Sequence, residues 1–118
     1  MPIIEIATLA PADGLDVSTG LGAVTTEVAA FLDEDPQGTW AIYRPIAPGH
    51  FAEGTDAPAT QPAETHPAIV RVFANRPPEQ VPALLEVVAA AVVRGFGLGE
   101  GNIVVLFEAA DPDRMFWG

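Results

Sequence analysis

Strand, helix and strand follow one another twice along this chain, and that repetition restricts the available folds more than any other feature. The first strand is Met1-Pro2-Ile3-Ile4-Glu5-Ile6-Ala7-Thr8-Leu9, branched and apolar with no internal glycine, broken by Pro11-Ala12-Asp13-Gly14. Leu21, Val24, Val28, Phe31 and Leu32 then recur at helical spacing, with Asp16 or Ser18 as cap and Gly20 and Gly22 weakening the first turns. Asp33 to Gly38 ends that helix, and Thr39-Trp40-Ala41-Ile42-Tyr43-Arg44 is the second strand. After a polar, proline-punctuated connection that reads as a loop or a short hairpin, the order restarts. Ala68 to Phe73 is a strand, and Val81, Leu84, Leu85, Val88, Val92 and Phe96 form the stripe of a helix whose regular bonding begins near Pro82. Glycines 95, 97, 99 and 101 stop it, and Ile103 to Phe107 is a wholly apolar last strand.

Shifting the chain by 64 positions sets Val24 on Val88, Tyr43 on Phe107, Pro48 on Pro112 and Gly54 on Gly118. Two such units share one sheet, with right-handed crossovers. The expected class is therefore α+β: two repeated β-α-β units forming one four-stranded sheet with two helices on one face. We divide the single domain, 1–118, into repeat one (2–54), a connection (55–66) and repeat two (67–118). Because Ile103–Phe107 lacks polar alternation, both of its faces want burial, and two helices cover one side only. Further copies of the chain are the natural cover for the other, so a homo-oligomer is expected.

Composition narrows the function classes. Hydrophobic residues make up 49% of the chain, which excludes disorder. Net charge is −11 and all five cations are arginines, at 44, 71, 76, 94 and 114, so no nucleic-acid partner is expected. The longest apolar run, Val87 to Val93, is too short to cross a bilayer. No basic region leads into an apolar stretch and cleavage site, and a cytoplasmic protein without a membrane partner is the expectation. The chain has no cysteine, so disulfides and thiolate metal sites are excluded. His50 with Glu53, and His66, have plausible metal spacing but lack a third convergent ligand.

Pro2 is the candidate with distinctive chemistry. Once the initiator methionine is removed, Pro2 presents a secondary amine, anchored by an apolar strand instead of trailing in solvent. A free α-amine titrates near pH ~8, and apolar walls and neighbouring cations move it toward neutrality, where a general base works best. The plainer reading is a proline that merely begins an edge strand.

Four segments carry a resemblance to the tautomerase superfamily. They are Pro2-Ile3-Ile4-Glu5-Ile6, the turn Pro48-Gly49-His50-Phe51, the helix approach Asn75-Arg76-Pro77-Pro78-Glu79-Gln80, and the ending from Val104-Val105-Leu106-Phe107-Glu108 to Phe116. The turn resembles the Gly-His-Phe of 4-oxalocrotonate tautomerase, and the last two segments are most similar to the malonate semialdehyde decarboxylase branch. The resemblance implies a trimeric barrel with helices outside, a pocket shared between subunits, and neither metal nor organic cofactor. It implies Pro2 as the base, or as the charged acid in decarboxylating and hydrating relatives. Arg76 falls at the carboxylate-binding position and Phe116 at an apolar wall. The chain departs from the pattern at Gly38, where the decarboxylase branch has Asp. It departs again at Pro78, which replaces a second arginine, and at Trp40, which stands where 4-oxalocrotonate tautomerase has its second-strand arginine.

The remaining arginines and aromatics each admit two roles. Arg76 grips a carboxylate with paired hydrogen bonds, or makes an ion pair with one of many acids. Arg71 faces the pocket or forms a structural or intersubunit pair. Arg44 shares a strand face with Trp40 and Ile42 and is a replacement for the missing second-strand arginine. Trp40, Phe116 and Trp117 wall an apolar pocket or anchor a subunit interface. The functional expectation is a cofactor-independent keto–enol tautomerase of a small 2-oxo or 2-hydroxydienoic acid. Its alternatives are a non-enzymatic trimeric binding or signalling body, a decarboxylase or hydratase variant, and a ferredoxin-like α/β dimer.

Overall fold

The computed structural model describes residues 2–11, 14–52, 54, 68–99, 103–114 and 116. The 55–66 connection, Glu53, His66 and Trp117 lie outside them. Among the described residues six regular elements follow in order: β1 (Ile3–Thr8), α1 (Val17–Leu32), β2 (Trp40–Pro45), β3 (Ala68–Ala74), α2 (Val81–Phe96) and β4 (Ile103–Ala109). Short 3-10 turns lie at Pro36–Gly38, Pro78–Gln80 and Pro112–Arg114.

The strands form one sheet in the order β2-β1-β3-β4. β1 runs parallel to β2, with Ile3 opposite Trp40, and antiparallel to β3, with Ile3 opposite Phe73. β3 and β4 are parallel. Each β-α-β unit thus supplies one parallel pair, and β1 and β3 join the halves at the centre.

Period-two alternation assigns the faces. Ile4, Ile6, Val70, Val72 and Ala74 are fully or almost fully buried beneath the helices, with Ala41, Tyr43, Val105 and Phe107 packed around them. The helices meet this layer with Val24 and Val28 from α1 and Leu84, Val88, Val92 and Phe96 from α2. Phe31, which shares the helical spacing of Val24 and Val28, is 42% exposed.

Caps fix the helix ends. Asp16 accepts from the Ser18 and Thr19 backbone N–H groups and begins α1. Asp33 ends it in the left-handed region (φ 55°), a conformation that Asp tolerates better than most residues. Gly97 ends α2 in the same way (φ 63°). Gly20 is a packing residue as well as a poor helix former: a Cβ there would stand 2.6 Å from the Gly95 carbonyl oxygen. The first turn of α1 therefore lies directly against the last turn of α2, and the two helices run antiparallel.

Among the described residues no layer covers the opposite sheet face. Trp40, Ile42, Val104 and Leu106 are 46%, 37%, 46% and 52% exposed on it. No helix among the described residues is long and apolar enough to cross a membrane.

Candidate active site at the proline end of the sheet

β1 and β2 begin, and β3 and β4 end, at the same end of the sheet. Pro2 is buried there, one residue ahead of the central strand β1. Its carbonyl accepts from the Trp40 N–H at 3.1 Å, so the residue is tied to β2 before β1 formally begins. The Ala110 N–H donates to the Ala74 carbonyl at 3.0 Å and holds the segment after β4 over the same end.

An open cleft of about 540 Å³ lies beside it, with Ile3, Phe73, Ala109 and Ala110 as apolar lining and Glu108, Asp111 and Arg114 as charged groups. The Asp111 carboxylate accepts from the Asp113 N–H at 2.9 Å and stands 3.7 Å from Arg114 Nε. This local turn presents Arg114 at the cleft.

Arg76 belongs to the same end of the molecule. It follows β3 and precedes the prolines that open the 3-10 turn before α2. Its side chain is only 18% exposed, and Nη2 donates to Glu34 Oε1. The left-handed residue Asp33 reverses the chain just before Glu34, whose N–H donates back to Ala29. Of the two roles the sequence allows Arg76, the ion pair is formed in this chain. A guanidinium carries five N–H donors, which leaves capacity for a second anion.

The other expected residues distribute differently. Arg44 lies 3.4 Å from Glu5 on the open sheet face and pairs in register with Ala7. That is four residues along the strands from Ile3, or about 13 Å. Arg71 also lies on the open face, 4.0 Å from Glu108, with its guanidinium carbon 5.5 Å from the centre of the Phe73 ring. Trp40 begins β2 at the Pro2 end but projects from the open face. Phe116 is 91% exposed. Within one chain the structure therefore groups Pro2, Arg76 and Trp40 at one end and leaves Arg44 apart from them.

Sequence reasoning did not single out Glu34, Arg114 or Thr39. Thr39 is 4% exposed, and its hydroxyl has no hydrogen-bond partner among the described residues. Alternation within Thr39-Trp40-Ala41 would have assigned it to the helix-covered face, where an unpartnered hydroxyl is costly. Among the described residues no three His, Asp or Glu side chains converge as a metal cluster would require.

A four-stranded mixed sheet with two antiparallel helices on one face, built from two β-α-β units, is a fold that this chain shares with other solved proteins. The likeness extends over nearly the whole chain in several solved structures. A native fused 4-oxalocrotonate tautomerase superposes with a TM-score of 0.82 at 12% identity, covering 98% of this chain and 92% of that one. Malonate semialdehyde decarboxylase gives 0.72 at 13% identity, covering 98% and 90%. Macrophage migration inhibitory factor from Toxoplasma gondii gives 0.69 at 16% identity, covering 98% and 96%. From sequence alone, no family model and no curated protein matches the chain.

Proposed function

We propose that this chain is a cofactor-independent tautomerase of a small 2-oxo or 2-hydroxydienoic acid, with the amino-terminal Pro2 as general base. One observation carries the reading: Pro2 is buried at the head of the central strand, at the sheet end that also holds Arg76. Removal of residue 1 turns an amide nitrogen with no basicity into a secondary amine. Its burial favours the uncharged form.

In the reaction, the Pro2 nitrogen takes a proton from an enol hydroxyl or from carbon beside a carbonyl. It returns that proton elsewhere on the conjugated system, so no electrons are gained or lost overall. Arg76 holds the substrate carboxylate and stabilises negative charge building on the enolate side. Ile3, Phe73, Ala109 and Ala110 supply an apolar surface for a planar substrate.

The open sheet face supports a homotrimer, as in the symmetric trimer described for a fused 4-oxalocrotonate tautomerase. Arg44, Glu5, Arg71 and Glu108 lie on β2, β1, β3 and β4, so charge alternates across the whole sheet. One edge ends positive and the other negative, which suits head-to-tail closure of a ring. The decarboxylase and hydratase alternative has less support, because Gly38 and Pro78 replace its acid and its second arginine.

The test begins with intact mass, to establish that residue 1 is absent from the mature protein. Trimmed protein should ketonise a simple enol such as phenylenolpyruvate, and Pro2→Ala should abolish that activity. A trimmed protein inert toward several 2-oxo acids would favour a binding or signalling body of the same fold. Full retention of Met1 in native cells would remove the base altogether.

A further inference from the structure

Among the described residues two threonines are almost completely buried, and they differ in one respect. Thr8, 2% exposed, donates to the Leu9 carbonyl at 2.6 Å and shares a hydrogen bond of 2.8 Å with the Tyr43 hydroxyl. Thr39, 4% exposed, has a hydroxyl with no hydrogen-bond partner among the described residues. A buried hydroxyl forgoes water, so a native structure that keeps one unpaired has a partner still to come or another use for it.

The position of Thr39 relative to Pro2 bears on what that partner is. Thr39 stands one residue ahead of β2 and Pro2 one residue ahead of β1. The strands are parallel with Ile3 opposite Trp40, so the register carried back by one residue sets Thr39 beside Pro2. The bond from the Trp40 N–H to the Pro2 carbonyl fixes this pairing. Strand alternation turns both residues toward the helix-covered face, with Ile4 and Ala41, and neighbouring strands lie about 4.8 Å apart. While residue 1 is attached, the Pro2 nitrogen is a tertiary amide that neither donates nor accepts. Trimming converts it into an amine, and the protonated amine has two N–H donors. Removing residue 1 thus gives the nitrogen beside Thr39 a hydrogen-bonding capacity that it lacks while that residue is attached.

We propose that the Thr39 hydroxyl accepts a hydrogen bond from the protonated Pro2 amine, positions its ring, and holds its pKa up as the amine receives a proton. Thr39 is a positioning residue: it acts on the base and not on the substrate. The inference rests on Pro2 being a free amine but not on any particular substrate. Charged groups at this end of the sheet are Glu34 and Asp35 before β2, Arg76 and Glu79 before α2, and Glu108, Asp111, Asp113 and Arg114 in and after β4. None of them is altered in the variants below, so their fields act equally on all forms compared.

The experiment is a titration of the Pro2 nitrogen by NMR in full-length, trimmed, nitrogen-15 proline-labelled protein, comparing wild type with Thr39→Val and Thr39→Ser. Thr39→Val keeps the shape and removes the hydroxyl; it should lower the Pro2 pKa by about one unit, the scale of one hydrogen bond to a charged group. Thr39→Ser should titrate as wild type. Thermal stability should not fall in Thr39→Val, because an unpaired hydroxyl is replaced by a methyl group. A Thr39→Val protein whose Pro2 titrates as wild type overturns the proposal, as does a Thr39→Ser protein that behaves like the Val variant. Phenylenolpyruvate turnover is read separately: an inert wild type whose Pro2 pKa still responds to Thr39 refutes the tautomerase reading and keeps this one.

Discussion

The Arg76 guanidinium donates to the Glu34 carboxylate across the gap between the end of β3 and the end of α1, on the side of the molecule where Pro2 begins the central strand. Both side chains are partly withdrawn from water, at 18% and 32% exposure. If Arg76 also holds a substrate carboxylate, Glu34 competes with that substrate for the same donors. Glu34→Gln should then lower KM for a carboxylate substrate and leave kcat nearly unchanged. Arg76→Ala should reduce kcat/KM by about 10- to 100-fold, the value of a charge-assisted hydrogen bond. Arg76→Lys should recover little of it, since an ammonium lacks the planar fork. Steady-state kinetics on the three variants decides the matter, and unchanged KM in both Glu34→Gln and Arg76→Ala would remove Arg76 from the site.

Gly20 and Gly22 stand two residues apart in the first turns of α1 and should respond oppositely to the same change. At Gly20 a new Cβ would meet the Gly95 backbone at 2.6 Å, whereas at Gly22 nothing lies within 4 Å. Alanine gains about 1 kcal/mol of helix propensity at either position. At Gly20 that gain is outweighed by overpacking against backbone, which costs roughly 1–3 kcal/mol. Urea unfolding should therefore show a lower midpoint for Gly20→Ala and a higher one for Gly22→Ala, with little change in slope.

These two glycines also mark what can be read from the sequence. The order of elements, the four-stranded sheet and the shared helix face follow from local periodicity, and the structure reproduces them with boundaries moved by one or two residues. Glycine at 20 reads locally only as a weak helix former; its contact with Gly95 joins positions 75 residues apart and leaves no local pattern. Phe31 lies at helical spacing yet is 42% exposed, because spacing defines a stripe but not how much of it is covered. Pro2 and Arg76 stand out in the sequence as candidates by chemistry and position, and the structure places both at one end of the sheet. Glu34 was one acid among 16, and nothing local distinguishes it until the left-handed Asp33 turns it toward Arg76. Thr39 required knowledge of the β1–β2 register.

The α1 cap carries a pH dependence of definite sign. The Asp16 pKa is lowered from 3.8, chiefly by the hydrogen bond that its side chain accepts from the Thr19 hydroxyl at 2.9 Å. A carboxylate whose folded value lies below its unfolded one stabilises the fold fully above the unfolded value. That contribution is lost as the pH falls through the folded value. Asp16→Ala should therefore melt earlier than wild type at neutral pH, and the gap should narrow under strong acid. Asp16→Asn, which still caps but does not titrate in this range, should narrow it less. Equal melting temperatures of wild type and Asp16→Ala at neutral pH would show that the cap contributes nothing.

Leu106 offers the most direct test of whether the open sheet face is covered by copies of the same chain. It is 52% exposed at the middle of β4, next to Val104 at 46%, in a strand whose other side is already packed beneath the helices. An exposed apolar face on a four-stranded sheet favours association, and the alternating stripe Arg44, Glu5, Arg71 and Glu108 disfavours arrangements that set like charges together. Leu106→Asp places a charge among these apolar residues without touching the core, so the folded chain should survive. Sedimentation should then show a trimer for wild type and a smaller species for the variant, while far-ultraviolet circular dichroism stays the same. Raising the salt concentration should weaken the wild-type assembly only modestly, because screening affects the charged stripe but not the apolar contact. A wild-type chain that sediments as a monomer at micromolar concentration would leave this face bare and would count against both the enzyme and the binding-body readings.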